Sequence, residues 1–147
     1  MIRPATHADV EQMVQLGALM HQESRFNVLS YAPDKVAHLI RSMIDDEQFV
    51  AVADVEGEII GGFLGVAVEH WASRDLVASD YSLFIAPERR GSTIPLRLIK
   101  AFRSWAQAKG CKMISVGIST GVAVEKTAAL YQAAGFERIG LIFEGAS

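Results

Sequence analysis

The sequence is short of the residues that build metal centres, disulfide frameworks and membrane spans. A single cysteine, Cys111, among 147 residues excludes an intrachain disulfide and fits a reducing compartment. The four histidines are scattered and none has His-Glu-x-x-His spacing, so no metal site is expected. His21-x-Glu23 matches the first half of a zinc-deaminase pattern, but that site needs two further cysteines and only Cys111 exists. No apolar run approaches the roughly 20 residues that cross a bilayer, so no membrane partner is expected. Positive charge is not in excess either. The net charge of −3 argues against a general nucleic-acid binder, which relies on many Lys and Arg contacts to phosphates. Met1-Ile2-Arg3-Pro4-Ala5-Thr6 passes straight into a polar helix start, which reads as no secretory signal and a cytoplasmic location.

What is present is the composition of an ordinary globular protein, 50% hydrophobic and 21% charged, and one domain over residues 1–147 is expected. Ile2 to Ala5 reads as a short strand, and Thr6 with Asp9 as the start of a helix running to about Gln22. Glu23 to Ala32 reads as a loop. Pro33 suits a first helical position, and Val36, Leu39, Ile40, Met43 and Ile44 form one apolar stripe. Residues 49–53 and 59–68 read as strands joined by a tight turn at Glu56-Gly57, and the glycines of the second suggest a bulge or a close backbone approach. A strand over 76–86, a helix from Ile94 to Lys109, a strand over 113–118, a helix over about 123–134 and a last strand over 136–143 complete the chain. The order predicts an α/β fold on a single mixed, mostly antiparallel central sheet with helices on both faces. Strands 76–86 and 113–118 should be parallel, because a helix crosses between them.

The chemistry centres on Leu83 to Ile94. Pro87 ends the strand, and Ile94, Leu98, Ala101, Phe102 and Trp105 open a helical face. Between them Arg90-Gly91-Ser92-Thr93 presents main-chain N–H groups at a helix N-terminus, where donors lack partners and the dipole favours anions. Residues 88–103 carry Arg89, Arg90, Arg97, Lys100 and Arg103 against the one acid Glu88. A phosphate-bearing ligand is the expected reason for that local excess.

Arg90-Gly91-Ser92-Thr93-Ile94-Pro95 resembles the acyl-CoA pyrophosphate loop, Arg/Gln-x-x-Gly-x-Gly/Ala, of the GNAT N-acetyltransferase superfamily, with Thr93 and Pro95 standing where the family has small residues. Leu130-Tyr131-Gln132-Ala133-Ala134-Gly135-Phe136 resembles a second signature of the same superfamily, and the likeness extends over nearly the whole chain. The resemblance implies that the two parallel strands splay apart to admit the thioester of acetyl-CoA. It implies direct transfer of the acetyl group to a primary amine, with acetyl-CoA as acyl donor, no metal, and a homodimer as a compatible assembly. Leu83, Phe84 and Ile85 would offer main-chain groups to pantetheine. Arg89, Arg90, Gly91, Ser92, Thr93 and Ile94 would hold the pyrophosphate.

Acyl transfer needs a base for the amine, donors for the oxyanion and a proton for the leaving thiolate. Tyr131 resembles the family's general acid, and a phenol with a reference pKa of about 10 can protonate a thiolate whose reference is about 8.5. The other reading of Tyr131 is one more residue of a packed helix face. Asp80 is the candidate base, one residue away from the strand position that the resemblance implies. Glu69 and His70 are rivals, and an already neutral amine needs no base. The acceptor wall would include His21 and Glu23 on one side, with His70 and Trp71 opposite, although a surface loop and simple packing also account for them. Val124 replaces a polar residue common on this helix, leaving Ser119, Thr120 or Thr127 as substitutes or caps. The alternative function is a CoA-binding sensor of the same fold without turnover.

Overall fold

A computed structural model describes all of residues 1–147. Nine regular elements follow one another: β1 (Ile2–Pro4), α1 (Val10–Glu23), α2 (Pro33–Asp45), β2 (Phe49–Val55), β3 (Glu58–Glu69), β4 (Leu76–Ile85), α3 (Ile94–Ala108), β5 (Met113–Ser115) and α4 (Val124–Ala133). The five strands form one sheet in the order β1-β2-β3-β4-β5, antiparallel throughout except for the parallel pair β4–β5. No helix is long and apolar enough to cross a membrane.

The strand alternation builds two cores. Val50, Val52, Leu64 and Phe84 face α1 and α2, meeting Val10, Met13, Ile40 and Met43. Phe49, Ala51, Phe63 and Ala78 face the other way, onto Leu98, Ile99, Phe102 and Ala106 of α3 and Tyr131 and Ala134 around α4. Because both faces are covered, residues 49–53 are buried without exception rather than alternately. The Phe63 and Phe102 rings stack with centroids 4.7 Å apart.

Close approach explains the glycines of β3. A Cβ added at Gly65 would lie 2.8 Å from Phe102 Cδ2 and nearer still to Cε2. Gly65→Ala is therefore expected to overpack the α3 face and cost about 2 kcal/mol. In thermal denaturation that is a Tm lower by about 6 °C, and an unchanged Tm would show that α3 shifts freely. The turn of the β2–β3 hairpin uses positive φ at both Glu56 (52°) and Gly57 (89°), the geometry a two-residue hairpin loop requires.

The first strand is fastened by charge. The Arg3 guanidinium donates to Asp9 at 2.8 and 2.9 Å and to Asp54 at 2.8 and 3.1 Å. Asp9 also accepts the Thr6 N–H at 2.7 Å, fixing the turn that opens α1. The Arg3 bond holds the Asp9 carboxyl down at about 2, below its usual 3.8. A depressed carboxyl stabilises the fold above its unfolded value, and that contribution disappears as pH falls from 3.8 towards 2. Arg3→Ala should cost about 1–2 kcal/mol at pH 7, scaled down for the pair's partial exposure. The difference from wild type should shrink on acid titration below pH 3.8, the usual value for Asp9. A pH-independent difference would assign the effect to packing.

Three expectations from the sequence need correction. The expected strand over 113–118 stops at Ser115, where β4 no longer lies alongside. The expected strand over 136–143 does not form: residues 137–147 are all exposed and belong to no strand, and the outermost strand, β5, is only three residues long and offers little edge to pair with. The expected loop after α1 contains a turn of 3-10 helix, Arg25–Val28, whose first turn is capped by the Ser24 hydroxyl.

Candidate active site

The parallel pairing of β4 with β5 lasts only from Val77↔Met113 to Ser79↔Ser115, while β4 continues along β3 as far as Ile85. A gap therefore opens at Asp80. The β3–β4 register slips at the same place, from Leu64↔Ser82 to Gly65↔Asp80, so Tyr81 is an extra residue with no partner opposite, a β-bulge. Past the bulge the Ala86 N–H bonds Ile60 O, and antiparallel alternation then commits Phe84 and Ser82 to β3. Leu83 and Ile85 are the residues whose main-chain groups turn to the gap. Phe84 is different from the expectation: its main chain serves β3 and its side chain is buried in the core beneath α1 and α2.

Asp80 and Tyr131 are linked at this opening through one residue, Gly117. The Gly117 N–H donates to Asp80 Oδ1 at 3.2 Å, and the Tyr131 hydroxyl donates to Gly117 O at 2.9 Å. Burial raises the Asp80 carboxyl above its usual value, only partly offset by the Gly117 bond. Burial, and then the Asp80 charge, raise the Tyr131 phenol well above 10. Tyr131 thus keeps its proton at neutral pH, and Asp80 is a stronger base than an exposed aspartate. The bulge accounts for the one-residue offset of Asp80, because each bulge reverses the inward and outward faces on one side of it. Gly117 was not singled out from sequence; a glycine within a short apolar strand was its only signal.

The loop following β4 forms the second half of the site. Pro87–Arg89 make a 3-10 turn, Gly91 adopts φ +87°, and α3 begins at Ile94. The Ile94 N–H is taken by the Ser92 hydroxyl at 3.3 Å, whereas those of Gly91, Ser92 and Thr93 have no partner within the protein. Pro95 is buried as the second residue of the helix, where a missing N–H costs no helical hydrogen bond. Together with the dipole of the 15-residue helix, these amides make an anion cradle. Arg89 is exposed and makes no ion pair, while Arg90 is engaged by Glu23 through both of its terminal nitrogens.

The end of α1 roofs the gap. Met20 Sδ lies 4.0 Å from Ser82 Oγ on β4, and the Arg25 N–H donates to Thr120 O beyond β5 at 2.9 Å. Glu23 falls between these two contacts. His21 is spent on structure, its Nε2 2.7 Å from Leu29 O and its ring tilted against Tyr31. His70 and Trp71 are not brought to the site. They occupy the β3–β4 turn, where His70 N–H bonds Asp75 O, five residues and about 16 Å of strand from Asp80. Trp71 is 92% exposed there. Thr120 accepts the Val122 N–H and Thr127 donates to Ala123 O, so both hydroxyls are used within their own turns. A surface groove of about 430 Å³ lies elsewhere, between α3 and the end of α4, and includes none of these residues.

The model of the acetyltransferase (GNAT) domain family matches residues 45–138, more than half the chain. No curated protein sequence matches significantly. Among solved structures, aminoglycoside N-acetyltransferase AAC(6')-Iy in complex with CoA is similar with a TM-score of 0.78 and 18% identity, over 100% of this chain and 93% of that one. A transcriptional regulator from Bacillus halodurans C-125 gives 0.77 and 20%, over 99% of both chains. The apo aminoglycoside 6'-N-acetyltransferase AAC(6')-IG from Acinetobacter haemolyticus gives 0.74 and 13%, over 100% and 97%. At such identities the likeness is one of fold.

Proposed function

Since the chain belongs to the acetyltransferase (GNAT) family, we propose that residues 1–147 act as one domain that transfers the acetyl group of acetyl-CoA directly to a primary amine. The observation that carries this reading is the pairing of two features: unpartnered amides at Gly91, Ser92 and Thr93, and, at the far end of the β4 segment that leads to them, a gap where a buried phenol and a half-buried carboxyl are joined through Gly117. The amides and the exposed Arg89 suit a diphosphate. Leu83 and Ile85 supply main-chain partners for an extended chain of amides entering the gap, and an N–H there can hold the thioester oxygen as charge develops on it. The single cysteine favours a cytoplasmic setting.

In this reading the amine nitrogen forms its bond to the carbonyl carbon, Asp80 accepts the proton the nitrogen sheds, directly or through water, and the carbon–sulfur bond breaks. Tyr131 gives its proton to the departing sulfur and is then reprotonated from Asp80 or solvent. From the neutral amine the net transfer is one proton from nitrogen to sulfur; an acceptor that arrives as an ammonium first gives up one further proton to solvent. The raised Tyr131 value does not disqualify it as an acid, because the same dry surroundings raise the proton affinity of a thiolate formed beside it. Asp80, raised by burial, moves towards the range in which a carboxylate works as a base near neutrality.

The test is release of free thiol from acetyl-CoA across a panel of primary amines, aminoglycosides and polyamines included. Amine-dependent thiol release is the expected result. Binding of CoA with no thiol release on any amine would replace this reading with the sensor function.

A further inference from the structure

Resting on the acyl-CoA reading above, we propose that Glu23 and Arg90 form a latch that the acyl donor opens. The diphosphate takes the guanidinium, and the carboxylate so released becomes the counter-charge for the acceptor's ammonium group.

The pair joins the two halves of the site across 67 residues of sequence, with Arg90 Nη1 3.0 Å from Glu23 Oε2 and Nη2 bonded to Oε1. It spends the bidentate face of Arg90 on a side chain of the protein, at the edge of a cradle whose amides are free. A carboxylate and a diphosphate cannot share that face without strong mutual repulsion. Exchange between them is cheap, because the two side chains retain 34% and 41% exposure and such half-exposed pairs are weak. A diphosphate, with more charge and the helix amides in addition, wins the competition. What it leaves behind is placed by the fold. Glu23 is the last residue of α1, between Met20, which contacts Ser82 on β4, and Arg25, which bonds Thr120 beyond β5, so the freed carboxylate stays on the end of α1 that borders the gap. A protonated amine approaching the gap there meets a free anion only after the donor has bound. The latch thereby favours donor-first binding and a cationic acceptor.

The experiment is calorimetric titration of CoA into the wild type, Glu23→Gln, Arg90→Ala and the double variant. Glu23→Gln should tighten CoA about threefold, the scale of a half-exposed ion pair. Arg90→Ala should weaken it about tenfold, the scale of one charge-assisted contact. In the Arg90→Ala background Glu23→Gln should change nothing, since no guanidinium remains to compete for. Equal tightening in both backgrounds would mean simple charge repulsion, and no tightening in either would mean no competition; each overturns the latch. With the amine found in the thiol-release panel, Glu23→Gln should raise KM about tenfold or more with little change in kcat, and an unchanged KM would remove Glu23 from the acceptor site. A wild type that fails to bind CoA overturns the acyl-CoA reading and the latch together. CoA binding with a flat cycle overturns the latch alone.

Discussion

Tyr131→Phe is expected to lower kcat about a hundredfold to a thousandfold at saturating acetyl-CoA, the range lost when a general acid is removed. The reason lies in where the hydroxyl sits: at the entrance of the β4–β5 gap, with its proton held by burial and directed at Gly117 O. The substitution keeps the ring that packs under α3, so the fold should lose on the order of 1 kcal/mol, the value of one hydrogen bond. CoA affinity should be unchanged, because the contacts assigned to the diphosphate are elsewhere, on Gly91 to Thr93. A packing role alone would give the opposite pattern, a lower Tm with kcat near wild type. Rate and CoA titration measured on one preparation therefore separate the two roles of Tyr131.

Asp80→Asn should make the protein less active and more stable at once. The native state holds the Asp80 carboxyl above its usual 3.8 through burial. A carboxyl raised on folding binds protons in the native state that the unfolded chain has already lost. Its contribution to stability therefore falls as pH rises from 3.8 through the folded value, and the penalty persists at neutral pH. Asparagine removes the charge and can still accept the Gly117 N–H through its oxygen. The variant should then melt higher than wild type at pH 7, with the difference closing below pH 3.8. Its kcat/KM should fall by about a hundredfold or more and lose its acid limb. A variant as active as wild type would return the base to solvent or to an amine that is already neutral.

Much of the fold is legible in the sequence because its signals are local. The stripe Val36, Leu39, Ile40, Met43 and Ile44 with Pro33 ahead of it marks α2, observed as Pro33–Asp45. Gly110 marks the end of α3 and indeed adopts φ +81°. The glycines of β3 suggest a bulge or a close backbone approach; β3 has a bulge at Ile60, and a Cβ added at Gly61 would come 3.0 Å from Phe84 O. What fails is whatever depends on a distant partner. Val116 and Ile118 are as β-prone as Ile114, but β4 diverges before it reaches them. Ile139, Leu141 and Phe143 alternate like a strand yet stay exposed, since the open edge of the sheet is the three-residue β5. Asp80 could be placed to within one residue and no better, since alternation counted through an unseen bulge assigns the wrong face. The pairing of Glu23 with Arg90 leaves no trace in either local pattern.

The central claim is that main-chain amides at the start of α3 grip a diphosphate while the β4–β5 gap receives the thioester. A crystal structure of the protein with CoA tests it most directly. Phosphate oxygens within hydrogen-bond distance of the Gly91, Ser92 and Thr93 nitrogens, Arg90 turned from Glu23 to the phosphates, and the sulfur beside Tyr131 are the expected result. Clear density for CoA lodged elsewhere, with that loop bare and the gap between Asp80 and Gly117 still bridged, would contradict it.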